Sequence, residues 1–218
     1  MTVKVKICGV RTPAILDAAA GAGADFVGLV LFANSPRNLT LEEAGSLAKI
    51  ARGRVRTVAV LVDPDDALIE SITKVVHPDF LQVHGGETPE RVAAIKARAG
   101  IPVIKAIAVS GADDVAGASA YAGIADQILY DAKPSPEAQL PGGNGVPFDW
   151  RAVAGARAPF ALSGGLNADN VGEAIRLTGA ALVDVSSGVE TAPGIKDAKL
   201  IERFIRAARA AHHRAKAS

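Results

Sequence analysis

Eight short runs of apolar and β-branched residues punctuate the chain: "VKVKIC" at 3–8, "FVGLVLF" at 26–32, "RTVAVLV" at 56–62, "FLQVHG" at 80–85, "PVIKAIAV" at 102–109, "DQILYD" at 126–131, "PFALSGG" at 159–165 and "ALVDVSSG" at 181–188. Their length and composition predict strands. The first alternates Val3, Val5 and Ile7 with Lys4 and Lys6, and most of the others are apolar nearly throughout. Alanine-rich stretches with helical spacing lie between them, such as Ile15, Ala18, Ala19 and Ala22, or Leu47, Ile50 and Ala51.

Local chemistry marks the helix starts. Thr12-Pro13, Asp63-Pro64 and Thr88-Pro89 each set a capping side chain before a proline suited to the first turn, and Thr40 with Glu43 has capping-box spacing. Apolar strands separated by helices imply parallel pairing with both faces covered. Eight such units in 218 residues predict a single (β/α)8 TIM barrel spanning 1–218, with 206–218 a basic C-terminal tail. An open doubly wound sheet would carry a G-x-G-x-x-G turn after its first strand, and "CGVRTPAI" does not. The longest connection, 132–148, reads as a mobile active-site loop.

Composition narrows the partners. With 24 basic against 23 acidic residues, the totals imply no basic face for nucleic acid. No apolar run approaches the roughly 20 residues of a membrane span. A single cysteine forms no internal disulfide, and "MTVKVKICGV" lacks the pattern of a signal peptide, so a cytoplasmic protein is expected.

In a barrel of this kind, chemistry gathers at the C-terminal ends of the strands. Strand one ends in Cys8, strand two leads into Asn34-Ser35-Pro36-Arg37, strand four ends in His84 and strand six in Asp131; strand eight contains Asp184 and ends in Ser186-Ser187. The "SGGL" and "SSGV" turns, with Gly164, Gly165 and Gly188, let backbone N–H groups approach an anion, which after strands seven and eight means phosphate. A lone cysteine is ordinarily a small buried hydrophobe. Cys8, however, sits at a strand's mouth in a positive field, where a thiol can titrate near neutrality and act as base or nucleophile. Asp131 opens the long loop, whose closure would raise its carboxyl toward the range of a general acid. Arg37 lies in a restrained turn suited to holding a carboxylate through its bidentate fork. His84 has no second histidine at ligand spacing, and His212 and His213 fall in the basic tail, so no metal site is expected.

Taken together, these residues resemble phosphoribosylanthranilate isomerases, the barrel enzymes of tryptophan biosynthesis. The resemblance runs through "KICGV" at 6–10, "SPR" at 35–37, "LQVHGGE" at 81–87, "IKAI" at 104–107, "YDA" at 130–132, "GGNG" at 142–145, "FDW" at 148–150, "LSGGLNADNV" at 162–171, "VDVSSGVE" at 183–190 and "PGIKD" at 193–197. It implies an Amadori rearrangement of N-(5'-phosphoribosyl)anthranilate to the 1-deoxyribulose 5-phosphate isomer. Cys8 would be the general base at sugar C2 and Asp131 the general acid at the ring oxygen. Arg37 would face the anthranilate carboxylate, Gly164, Gly165, Ser186 and Ser187 would bind phosphate, and His84 and Asp184 would line the pocket. No cofactor is implied, because the aniline nitrogen delocalises the charge; the implied partner is a small phosphosugar, met by a monomer or homodimer. Where the family commonly reads "VQLHG" and "GGTG", this chain has "LQVHG" and "GGNG". The related isomerase of histidine biosynthesis uses an aspartate on the first strand, where this chain has Cys8. A non-catalytic phosphosugar-binding barrel would not need both Cys8 and Asp131.

Overall fold

The structure is a computed structural model that describes residues 2–133, 148–154, 156 and 159–214. Eight parallel strands close into a barrel in chain order: β1 (Lys4–Cys8), β2 (Phe26–Val30), β3 (Arg56–Leu61), β4 (Phe80–Val83), β5 (Val103–Val109), β6 (Gln127–Ala132), β7 (Ala161–Leu162) and β8 (Leu182–Val185). The seam pairs β1 with β8, with Lys6 opposite Asp184. All eight predicted strands are present, and the TIM barrel expected from them is the fold.

Helices α1 (Pro13–Gly21), α2 (Leu41–Ala51), α3 (Asp66–Val75), α4 (Pro89–Ala99) and α5 (Ala112–Gly117) follow the first five strands; α6 (Val171–Thr178) and α7 (Ala198–Arg214) follow β7 and β8. Between β6 and β7 the described residues hold only a 3-10 turn, Trp150–Val153. The active-site loop expected at 132–148 falls almost wholly outside the described residues.

Most caps form where expected. Thr12 and Thr88 accept from the amides of Ile15 and Arg91, each with proline beginning its helix, and Thr40 and Glu43 bond reciprocally at 3.1 and 2.8 Å. The Asp63-Pro64 expectation fails. Asp65 caps α3 by accepting from Leu68, whereas Asp63 sits in the left-handed region (φ 44°) and accepts from the Gly86 amide at 2.8 Å. Aspartate tolerates that conformation, and the bond ties the turn after β3 to the turn after β4.

The supposed tail is also corrected. As far as it is described, it belongs to α7, with Ala208 and Ala211 buried against the barrel. Arg209 donates to the carbonyls of Val3 and Gly23 and to Asp25 Oδ2 (2.7 Å). A run of arginines and alanines at helical spacing is therefore an amphipathic packing helix rather than a solvated tail.

Two apolar clusters follow from strand alternation. Outward-facing Val5, Ile7, Leu81 and Val83 join the helices in a shell, whereas Phe26, Val30, Val58, Val60, Ile104, Ala106, Leu129, Ala161 and Leu182 fill the interior, with Cys8 packed on them. Interior positions toward the C-terminal mouth turn polar: Lys6, Gln82, Asp131 and Asp184 are all buried.

Candidate active site

Strand parity assembles the site. Lys6 and Cys8 share the inward face of β1, Gln82 and His84 follow the interior Phe80 at two-residue spacing from β4 into its loop, Asp131 follows interior Leu129 on β6, and Asp184 follows Leu182 on β8. Cys8 is partly exposed at the mouth. Gly28 on β2 makes room for it, since a Cβ there would stand 2.9 Å from the Cys8 sulfur and 3.2 Å from Lys6 Nζ.

Lys6 is wholly buried and bonds Asp184 Oδ2 at 2.8 Å. Burial opposes its charge, but Asp184 and the neighbouring Cys8 hold its pKa above the ordinary lysine value. Burial pushes the Asp184 carboxyl up, with Lys6 opposing. Burial also pushes the Cys8 thiol up, against the pull of Lys6 and Lys196 and with the help of Asp184. The positive field of Lys6 and Lys196 that the sequence reading expects is present, and desolvation works against it.

Across the mouth, His84 Nε2 lies 3.1 Å from Asp131 Oδ2, and His84 Nδ1 lies 3.1 Å from the Gln82 amide nitrogen. The Ala132 N–H donates to Asp131 Oδ1 at 3.0 Å, fixing the carboxyl plane. Glu87, Lys105 and Gly85 brace the loop that carries His84: Lys105 Nζ reaches Glu87 Oε2 and the Gly85 carbonyl, both at 2.7 Å, and Glu87 accepts the amides of Asp63 and Gly85.

Arg37 is buried, and its Nε and Nη2 both donate to Glu190 at 2.8 Å. That bidentate edge, expected to take a ligand carboxylate, holds a protein carboxylate instead. Lys196 also binds Glu190, at 2.5 Å, and donates to the Ser186 carbonyl at 3.1 Å. Burial works against the Glu190 charge, but the two cations bring its pKa down to about 2.

The two glycine turns touch. A Cβ on Gly188 would lie 1.9 Å from the Leu166 carbonyl oxygen, so the turn after β8 packs directly on the loop after β7. Gly164 and Gly165 have φ of 88° and 63°, and their amides find no acceptor among the described residues. Asn170 Nδ2 holds the Gly165 carbonyl at 2.9 Å, and Ser186 Oγ donates to the Cys8 carbonyl at 3.2 Å. Among the described residues no group of three or more His, Cys, Asp or Glu is placed to hold a metal ion, and no helix is long and apolar enough to cross a membrane.

Thus the barrel brings Cys8, His84, Asp131 and Asp184 to one mouth, with Ser186 bonded to Cys8 and Arg37 held through Glu190. Sequence reasoning missed Lys6, Gln82, Glu190 and Lys196. Lys6 had a usable signal: it shares the parity of Cys8 on a parallel strand, where an inward lysine must find a counter-ion. Gln82 likewise shares the parity of His84.

Residues 5–207 match the family profile described as N-(5'phosphoribosyl)anthranilate (PRA) isomerase. An N-(5'-phosphoribosyl)anthranilate isomerase from Mesorhizobium japonicum is 52% identical over 213 residues, covering 97% of each chain. The crystal structure of phosphoribosyl anthranilate isomerase from Thermotoga maritima superposes with a TM-score of 0.87 at 36% identity, over 96% of this chain and 100% of that one. A further crystal structure, of a phosphoribosyl anthranilate isomerase in complex with reduced 1-(o-carboxyphenylamino)-1-deoxyribulose 5-phosphate, gives 0.84 at 34% identity, over 96% of this chain and 100% of that one.

Proposed function

The chain belongs to the phosphoribosylanthranilate isomerase family, and from that premise we propose that it isomerises N-(5'-phosphoribosyl)anthranilate by an Amadori rearrangement, the third step of tryptophan synthesis from chorismate, with Cys8 as general base and Asp131 as general acid. Asp131 gives a proton to the furanose ring oxygen as the C1–O bond breaks, and the aniline lone pair forms the C1=N bond. The Cys8 thiolate then removes the C2 proton, leaving an enolamine. That intermediate becomes the ketone when its C2 hydroxyl loses a proton and C1 gains one, so atoms and charge balance without a cofactor.

The observation that carries this proposal is the placement of a partly exposed thiol and a buried carboxyl at the ends of β1 and β6, facing one mouth. The open amides of Gly164 and Gly165, beside the Ser186-Ser187 turn, offer donors to the substrate phosphate. Arg37 contributes its positive charge beside the anthranilate carboxylate, its Nε–Nη2 edge being held by Glu190. His84 and Asp184 line the remaining wall. The enzyme is expected to act in the cytoplasm as a monomer or homodimer.

The test is a fluorescence assay with freshly generated phosphoribosylanthranilate, whose emission falls on turnover. Cys8→Ala and Asp131→Asn are each expected to lower kcat by roughly 10²–10⁴ while thermal stability stays near wild type. The base works deprotonated and the acid protonated, so the rate is bell-shaped in pH. Because burial raises the thiol, only a fraction of the base is ionised at neutral pH, and the two limbs belong to the pair rather than to either residue. A fully active Cys8→Ala protein would overturn the assignment.

A further inference from the structure

Gln82 is a buried amide whose nitrogen contacts the proposed acid's partner and whose oxygen has no hydrogen-bond partner among the described residues. It is 1% exposed, its nitrogen lies 3.1 Å from His84 Nδ1, and Oε1 has no hydrogen-bond partner among the described residues. His84 Nε2 in turn lies 3.1 Å from Asp131 Oδ2. Three groups on β4, its loop and β6 therefore form one hydrogen-bonded row ending at the carboxyl that faces the mouth.

The amide orientation fixes the proton count of this row. With the amide nitrogen toward Nδ1, that ring nitrogen accepts, so a neutral imidazole carries its proton on Nε2 and donates it to an Asp131 carboxylate. With the amide turned over, Oε1 accepts from a protonated Nδ1. Nε2 then either donates to the Asp131 carboxylate or accepts from the Asp131 acid. The second arrangement holds one proton more than the first. Turning over breaks no hydrogen bond of Oε1, because it has none to break on its far side. The contact with His84 alone decides the orientation.

We infer that Gln82 and His84 are positioning residues that load and unload the catalytic proton of Asp131, the Gln82 amide turning over as the proton leaves. This rests on Asp131 being the general acid. In the loaded state the pair carries the extra proton with Nδ1–H on Oε1. When Asp131 protonates the ring oxygen, the row loses one proton, Nδ1 becomes an acceptor and the amide presents its N–H. Water reloads the pair after product leaves. Asp184 on β8 interacts electrostatically with Asp131 and His84, and its Oδ2 is bonded by Lys6 of β1, with Cys8 beside Lys6.

The row can be read directly in the full chain by 15N NMR of His84 against pH. The expected result is an Nε2–H neutral tautomer at high pH and an added Nδ1–H once the row is loaded, read from the 15N shifts of both ring nitrogens. Gln82→Glu offers a carboxylate that stabilises Nδ1–H, and is expected to keep Nδ1–H in place about one pH unit higher in the same 15N series, with KM little changed. Gln82→Met removes both partners and is expected to lower kcat by about tenfold with the fold intact. Should His84 hold one tautomer throughout the active range, or Gln82→Glu leave its 15N series unmoved, the inference is overturned. If the Glu variant does not fold, the wild-type titration decides alone. An active Asp131→Asn protein would instead sink the assignment of the acid, and the His84 titration tells the two failures apart.

Discussion

At the N-terminal end of the barrel, Phe26 and Phe80 pack edge to face with centroids 5.5 Å apart, and the Arg56 guanidinium lies 4.1 Å over the Phe26 ring. At the other end, Lys6, Cys8, Asp131 and Asp184 replace aromatic packing with charge and hydrogen bonds. Strand β4 spans the whole contrast at successive interior positions: Phe80 at the floor, Gln82 midway and, just beyond the strand, His84 at the mouth. The floor gains mainly from burial, because apolar surface needs no partner. The mouth must find a partner for each polar group, and each such pairing is a place where function can be installed and stability lost. Chemistry thus sits where the fold is energetically most conditional.

Removing one charge at the mouth is expected to have the largest effect. Lys6→Met leaves Asp184 buried without its cation, costing about 3–5 kcal/mol in chemical denaturation. Replacing both, as Lys6→Met with Asp184→Leu, is expected to recover most of that stability but none of the activity. Recovery of activity would erase the distinction between the two ends. At the floor, Phe26→Ala is expected to cost about 3 kcal/mol, with kcat unchanged below the melting transition. A drop in kcat there would show that the floor shapes the site.

Acid sharpens the comparison further. Glu190 has a pKa depressed from 4.5 to about 2 by burial-resisting contacts with Arg37 and Lys196. A depressed carboxylate contributes stability above its unfolded value and loses it as pH falls through the folded one. On the order of 2 kcal/mol should therefore vanish between about pH 4.5 and pH 2, screening allowed for. Glu190→Gln should flatten that part of the stability profile. The smallest effect belongs to neither end: Thr40→Ala removes the α2 cap and should cost about 1 kcal/mol by thermal melting, with kinetics unchanged.

The fold was legible because the strands of a parallel barrel are apolar on both faces, and runs such as "FVGLVLF" admit few other placements. Caps were legible where one residue competed for the role, as at Thr12 and Thr88. Among the aspartates of "DPDD", only three-dimensional contact between Asp63 and Gly86 decides which one caps. At the site, strand ends disclosed Cys8, His84 and Asp131, since position along a strand survives in the sequence. Partnerships did not. Lys6 finds Asp184 across 178 residues, and Arg37 finds Glu190 across 153, distances over which no local pattern carries information. The depth of burial that lifts the Cys8 thiol is likewise a property of the closed barrel.

The seam between β1 and β8 makes order of synthesis matter. Lys6 leaves the ribosome long before Asp184 exists, so the nascent sheet carries an unpaired lysine on what will become its inner wall. The edge of β1 stays open until the last strand arrives, as an exposed template for pairing with other chains. Closure joins residues from opposite ends of the sequence, which makes it a slow, late step. Completing the cylinder and supplying the counter-ion beside Cys8 are therefore a single event: an unfinished chain has a thiol but no finished mouth.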